Sequence, residues 1–198
     1  TLTADDQGGV GSNLPTTTAN AVTSDVVATI LVFSTQPAGS VSGSALTTQP
    51  VVTARDAAGI TDTGFTETIT LSEGSAGTLT GGSIAAVAGV ATFTVANYTA
   101  TADQQSFTLT ADDQSGVGSN LSPVNASSVT SDVVATQLVF TTQPAPLTLN
   151  SGVAEAMTTV PAVSARDANN LLDTGYSAGI TLAETGAGSA TMTGTGDT

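Results

Sequence analysis

The sequence contains no cysteine, no histidine and no tryptophan, and its two cationic side chains are Arg55 and Arg166. Without cysteine there are no disulfides, and without cysteine or histidine thiol catalysis, imidazole acid–base catalysis and the usual zinc sites are excluded. The absence of lysine excludes a lysine–asparagine isopeptide bond. A pair of carboxylates could still hydrolyse a glycosidic bond, but the few aromatic residues offer no platform for a sugar. We therefore expect neither an enzyme nor a bound organic cofactor.

Positive charge is almost absent, with 16 acidic residues against two basic ones and a net charge of −14. Such a surface repels the phosphate backbone of nucleic acids and anionic lipid headgroups. Long apolar runs are also missing, because the longest stretch of apolar residues and glycine, 84–91, is far too short to span a bilayer. We expect no nucleic-acid partner and no membrane span in this segment.

What the sequence does contain is a long internal repeat. Residues 1–14 (TLTADDQGGVGSNL) return at 108–121 with a single change, and residues 22–37 return at 129–144 with two changes. Both pairs are offset by 107 residues, and self-similarity at a fixed period indicates one folded unit that is repeated. A unit of this length is the size of a small domain.

Alternation of apolar and polar residues predicts β-strands, with Leu31 and Phe33 on the buried face of the first. The second copy retains Leu138 and Phe140 but has Gln137 where the first has Ile30, so the Ile30 face must tolerate water. A hairpin is predicted within residues 77–88. Short strands separated by frequent turns, without a helical period, predict an all-β sandwich. The other positions predicted to face inward in the first copy are Val52, Ala54, Ile69, Leu71, Ala91, Phe93, Val95, Phe107, Leu109 and Ala111.

The repeat divides the chain into five segments, and their order raises the question of how incomplete units are completed. Residues 1–14 are predicted as the last-strand remnant of a preceding repeat, 15–25 as a linker, 26–113 as a complete sandwich, 114–131 as a linker, and 132–198 as a second sandwich without its last strands. The remnant, with Leu2, Thr3 and Ala4 as its candidate inter-subunit strand residues, could complete the second unit of another copy by strand exchange. Alternatively, the segment belongs to a longer polypeptide.

Two aligned motifs carry a family resemblance. The segment VVTARDAAGITDTGF (51–65) matches AVSARDANNLLDTGY (162–176), and LVFSTQP, LVFTTQP and GVATFTV accompany them. These motifs resemble tandem bacterial immunoglobulin-like (Big-type) domain repeats of large surface and adhesin-like proteins. The resemblance implies tandem immunoglobulin-like antiparallel β-sandwiches in an extracellular surface protein or filament. It implies a spacer or fibre subunit whose partners are other copies or adjacent repeats. The alternative is a module that binds surface carbohydrate or protein.

Within these motifs, Arg55–Asp56 and Arg166–Asp167 are adjacent in a strand, so their side chains are expected on opposite faces. We expect Asp56 and Asp167 to accept backbone N–H bonds from the turn that follows. Each arginine is expected to pair with a carboxylate across the sheet.

Acidic residues near the predicted linkers are candidates for a calcium site. Asp112 and Asp113, which correspond to Asp5 and Asp6, could combine with Asp132, Asp25 or Asp103. Calcium takes six to eight oxygen ligands, and the spacing of these residues does not match the EF-hand loop. The alternative is that these carboxylates are solvated or serve their own turns.

Overall fold

In a computed structural model, which describes residues 1–6, 11, 14–114, 120–150 and 155–183, the chain is all-β. The described residues contain 17 strands and no helix, so no helix there is long and apolar enough to cross a membrane. The strands are β1 (Thr3–Ala4), β2 (Thr17–Thr18), β3 (Ile30–Thr35), β4 (Ser40–Val41), β5 (Ser44–Ala45), β6 (Val51–Arg55), β7 (Thr68–Glu73), β8 (Thr78–Thr80), β9 (Ser83–Ala85), β10 (Val90–Thr92), β11 (Asn97–Thr99), β12 (Gln105–Phe107), β13 (Leu109–Asp112), β14 (Val124–Asn125), β15 (Val129–Asp132), β16 (Gln137–Thr142) and β17 (Ala162–Arg166).

Two antiparallel sheets present apolar side chains to the core of residues 26–113. One has the order β10–β6–β3, and the other has the order β14–β13–β7–β9. Because side chains alternate along a strand, each sheet presents one apolar face. In the first sheet Leu31 lies opposite Ala54 and Phe33 opposite Val52. These four side chains are at most 7% exposed, as the alternation predicted.

Most of the buried apolar side chains among the described residues form one cluster, to which both sheets contribute. Tyr98 and Phe107 stack in it with ring centroids 3.8 Å apart. Nearly all of the predicted inward positions lie in this cluster. They are Leu31, Phe33, Val52, Ala54, Ile69, Leu71, Ala91, Phe93, Phe107, Leu109 and Ala111.

Two predictions about residues 77–98 are wrong, both because the chain changes sheets there. The predicted hairpin within 77–88 does not form: β8 pairs with β11, and β9 pairs with β7. Val95, predicted to be buried, is 64% exposed. The alternation that begins in β10 ends at Phe93, and the pairing resumes in β11 with Tyr98 as the buried residue.

Part of the predicted linker 114–131 instead contributes strands to the sheets. β14 pairs with β13, and β15 pairs antiparallel with β12 and parallel with β4. Leu121 and Val129 are 3% and 6% exposed. Strands this short, with one valine each, have too little apolar alternation to be recognised from sequence alone.

The second repeat copy begins with the same strand pair as the first. β16 and β17 pair in the register of β3 and β6, and both ladders contain an irregularity at the equivalent place. Leu138 and Phe140 are 52% and 46% exposed, whereas their counterparts Leu31 and Phe33 are buried. The pairing of β16 with β17 therefore forms without the apolar packing that buries the equivalent side chains of the first copy.

At the other end of the chain, the candidate inter-subunit strand has a local partner. Thr3 and Ala4 of β1 pair with Thr18 and Thr17 of β2 in a two-stranded sheet. Leu2 is 75% exposed, and its carbonyl accepts a hydrogen bond from the Ala19 N–H at 2.8 Å.

Candidate functional site: the joint between the two repeat copies

Hydrogen bonds to side-chain carboxylates hold the chain on both sides of the short connection between the copies. We define the first unit as residues 28–132 and the second unit as residues 135–183, with Val133 and Val134 connecting them. The Val133 N–H donates to Oδ1 of Asp103, in the first unit, at 2.8 Å. The Ala135 N–H donates to Oδ2 of Asp173, in the second unit, at 2.9 Å. The connection therefore has little freedom of its own.

Asp103 also contacts the second unit directly. Its Oδ2 accepts hydrogen bonds from the Thr174 N–H, at 2.8 Å, and from the Thr174 hydroxyl. One carboxylate thus joins its own loop, the connection and a turn 71 residues further along the chain. We call the set Asp103, Val133, Asp173 and Thr174 the joint.

The loop that presents Asp103 is closed by local hydrogen bonds. It runs from β11 to β12, and the Thr101 N–H donates to Gln105 Oε1 at 2.7 Å. Gln104 adopts a positive φ of 55°, and its N–H donates to Asp103 Oδ1 at 2.8 Å. The Gln104 side-chain amide reaches Asp132 Oδ1 at 2.6 Å. These contacts aim the Asp103 carboxylate at the connection.

The turn that receives Asp103 is built by another aspartate. Asp173 Oδ1 accepts the Gly175 N–H at 2.9 Å, and the Asp173 N–H donates to the Ala165 carbonyl of β17 at 3.1 Å. This is the Asx-type turn that aspartate favours, and it leaves the Thr174 N–H and hydroxyl facing outward. The joint therefore uses a turn that is fixed to a strand.

Asp103 is held in its charged form. Partial burial raises its pKa, but hydrogen bonds from the Thr174 hydroxyl and from the N–H groups of Val133, Thr174 and Gln104 outweigh that effect and lower the pKa to about 2. Donors directed at a carboxylate stabilise the ionised form. The joint is therefore strongest where Asp103 is charged.

The joint is expected to weaken in acid over a defined range. Because the folded pKa of about 2 lies below the ordinary value of 3.8, the stabilisation is present above about pH 4 and is lost as the pH falls toward 2. Hydrogen exchange of the Thr174 amide, corrected for the intrinsic rate, checks this: the protection should be constant from about pH 6 to about pH 4 and then decline. The Asp103→Ala variant is the control and should show little protection throughout. Full protection of wild-type Thr174 at about pH 2 would contradict the role given to Asp103.

The calcium candidates serve as acceptors in local hydrogen bonds, and two of them, Asp103 and Asp132, accept from the same Gln104 side-chain amide. Asp132 accepts from Gln104, Asp112 accepts from the Gln114 N–H at 3.2 Å, and Asp113 accepts from the Leu121 N–H at 3.0 Å. Asp6 likewise accepts from the Leu14 N–H at 2.9 Å, so the two repeat copies use the Asp113-type carboxylate in the same way. No group of three or more acidic side chains placed to hold a metal ion occurs within the described ranges.

The Arg–Asp motifs also serve local structure. Asp56 Oδ1 accepts from the N–H groups of Ala58 and Ile60 at 3.0 and 2.8 Å, which confirms the turn prediction. Asp167 Oδ1 accepts in the same way from the N–H groups of Asn169 and Leu171.

Within the described ranges Arg166 has no carboxylate partner, contrary to the prediction. This side chain donates to Ser164 Oγ at 2.9 Å and to the Asn170 carbonyl at 2.7 Å. Arg55 Nε is buried without a hydrogen-bond partner among the described residues. Arg166 therefore serves its own turn instead of crossing the sheet to an acid.

A groove elsewhere on the first unit offers little to a ligand. It has a volume of about 480 Å³ and is lined by residues 70–73 and 77–83. These residues include glycine, threonine, serine, leucine and one glutamate, but no aromatic side chain. Small-molecule sites are typically lined by apolar and aromatic groups. The joint is therefore the stronger candidate for a functional site.

The sequence pointed to Asp103 only as a possible calcium ligand and gave no role to Gln104 or Thr174. A signal was present, because the D-T-G turn occurs in both copies as residues 62–64 and 173–175. Its contact with Asp103 depends on how the units pack. Comparison with known proteins adds no relative, since no family model, curated protein or solved structure matches the chain.

Proposed function

We propose that this chain is a structural repeat module of an extracellular bacterial surface protein or filament, acting as a spacer or fibre subunit. The observation that carries the proposal is the joint, in which Asp103 of one unit holds both the connection and the Thr174 turn of the next. A connection fixed on both sides lets a row of units hold a set spacing. A flexible linker would leave the distance between its ends variable.

The arrangement of strands supports immunoglobulin-like sandwiches as the units. The sheets β10–β6–β3 and β14–β13–β7–β9 share one apolar core. The edge strand β3 is followed by β4, which pairs parallel to β15 beside β12. A chain that changes sheets in this way, around a core shared by two sheets, is the arrangement expected of a sandwich.

The surface composition supports an exposed, extended role. The net charge of −14 discourages association between the many strand edges of a repetitive β protein. The resemblance of the A-R-D-A and D-T-G motifs to tandem immunoglobulin-like repeats of surface proteins points the same way. Together these features favour an extracellular location and partners that are other copies of the unit.

Removing the Asp103 carboxylate is expected to loosen the two units without unfolding them. The Asp103→Ala change deletes the acceptor for the Val133 and Thr174 donors, while the apolar core of the first unit is untouched. Spin labels on cysteines introduced at the exposed positions Thr92 and Thr142 measure the distance between units, and the natural chain has no cysteine to interfere. A narrow distance distribution is expected in the parent chain, and a distribution at least about twice as wide in the variant, since each lost charge-assisted bond is worth about 1.5–3 kcal/mol.

Asp112→Ala is the matched control for that experiment. It removes the same charge from the same unit, but the Asp112 carboxylate accepts its hydrogen bonds within its own turn, from Gln114. Its distance distribution should match that of the parent chain. A broad distribution in the parent itself would overturn the proposed spacer function.

A further inference from the structure

The first unit contains the same kind of turn that receives Asp103 in the second unit, and this turn is bonded to the first residue of its unit. Asp62 Oδ1 accepts the Gly64 N–H at 2.8 Å, and Asp62 Oδ2 accepts the Ala28 N–H at 2.9 Å. Asp173 makes the equivalent bonds to Gly175 and Ala135. The receiving half of the joint is therefore built twice in this chain.

The segment that contains the donor to Asp62 also has the same sequence as the segment that contains the donor to Asp173. Residues 22–29 have the sequence VTSDVVAT, which is identical to residues 129–136. In the second occurrence this segment comprises β15, the connection and the start of the next unit. Every backbone donor and side chain that the joint requires from this segment is thus present before the first unit.

The two copies differ in whether these residues have a partner. Thr63 is exposed and takes part in no hydrogen bond within the described part of the chain, whereas Thr174 donates twice to Asp103. Val22 is 83% exposed, whereas its counterpart Val129 is 6% exposed in β15 beside β12. Two separate positions, the turn residue Thr63 and Val22, the counterpart of a β15 residue, are therefore uncovered in the first copy and covered in the second.

We infer that Thr63 and Val22 are docking positions for a copy of the first unit placed before it in tandem. This inference rests on the proposed function and names the partner: the loop of residues 100–104 and the strand β12 of that copy. The Asp103 carboxylate of the preceding copy would accept hydrogen bonds from the N–H and the hydroxyl of Thr63. Strand β12 of that copy would cover Val22.

A tandem copy fits these positions better than a separate chain does. In each separate chain Asp103 is already bonded to its own Thr174 and Val133. Docking of another chain onto Thr63 would require those bonds to break. A copy placed directly before Val26 has its Asp103 free for the Thr63 turn and needs no such exchange.

The test compares the full chain with an extended chain in which a second copy of residues 26–132 follows Asp132. The Asp62–Gly64 turn of the inserted copy then follows a complete first unit, whose Asp103 can reach it. Amide hydrogen exchange at single-residue resolution is the measurement. The Thr63 amide of the inserted copy should exchange at least about tenfold more slowly than Thr63 of the full chain, as expected for a charge-assisted hydrogen bond. Asp103→Ala in the upstream copy alone should restore fast exchange.

Exchange of the Thr174 amide in the same experiment distinguishes failure of the inference from failure of the proposed function. If Thr174 is protected and Thr63 exchanges equally fast in both chains, the inference is overturned and the proposed function stands. If Thr174 itself is unprotected in the full chain, the joint is absent, and both the proposed function and the inference are overturned. Protection of the inserted Thr63 that persists in the upstream Asp103→Ala variant would also overturn the inference, because another contact would then cause the protection.

Discussion

Truncation of Phe33 to alanine is expected to reduce the free energy of unfolding of the first unit by about 3–5 kcal/mol. Phe33 is 7% exposed, lies opposite Val52 and belongs to the shared apolar core. The same change at Phe140 is expected to cost about 1 kcal/mol or less, because a side chain that is 46% exposed leaves much less of a cavity. The two residues occupy equivalent positions in equivalent strand pairs, so the comparison isolates burial from strand propensity.

Urea unfolding followed by tyrosine fluorescence measures this difference one unit at a time. In a Tyr176→Phe background Tyr98 reports on the first unit, and in a Tyr98→Phe background Tyr176 reports on the second. Phe33→Ala should move the midpoint of the Tyr98 transition far to lower urea, and Phe140→Ala should move the midpoint of the Tyr176 transition only slightly. A Phe33→Ala shift no larger than the Phe140→Ala shift would show that the apolar cluster does not stabilise the first unit.

The second large effect is expected at Gly89. This residue has a φ of +80°, and a Cβ there would lie 2.2 Å from the Asp62 carbonyl oxygen and 2.8 Å from Thr61 Cγ2. Gly89→Ala therefore combines backbone strain of about 1–2 kcal/mol with a backbone collision of about 1–3 kcal/mol. We expect a total loss of about 2–5 kcal/mol in the free energy of unfolding.

Gly59→Ala separates the two causes. Gly59 has a similar φ of +85°, but nothing lies within 4 Å of the Cβ position, so strain alone should remain. Thermal or urea unfolding of both variants measures the difference, which we expect to be about 2 kcal/mol. Because Gly89 contacts Asp62, the Gly89→Ala variant should also speed exchange of the Ala28 amide, which donates to Asp62. Equal stability of the two variants would show that glycine is needed at position 89 for its conformation alone and not for lack of space.

The repeat made part of the fold predictable, because the second copy acts as a natural substitution experiment. Ile30 against Gln137 identified the exposed face of β3, and Leu31 and Phe33 are buried accordingly. Turn chemistry predicted the roles of Asp56 and Asp167, because their turns depend only on neighbouring residues. Features fixed by a few adjacent residues were therefore within reach of the sequence.

Features that depend on contacts between distant parts of the chain could not be predicted from the sequence. The pattern Ala91–Phe93–Val95 gives no sign that pairing ends after Phe93, because the change of sheet is decided by which strands lie alongside. β15 could not be recognised because its burial comes from β12 and β4 and not from an apolar alternation of its own. Asp103 looked like any acidic loop residue, since its partner Thr174 is far along the chain.

The two-residue connection has a geometric consequence for a chain of many such units. When each unit meets the next through the same contacts, every step applies the same rotation and translation. Repetition of one fixed operation generates a superhelix, whose pitch is set by the small angle at a single step. The carboxylate of Asp103, by holding Val133 and Thr174 together, would then determine the handedness and pitch of an assembly far larger than itself.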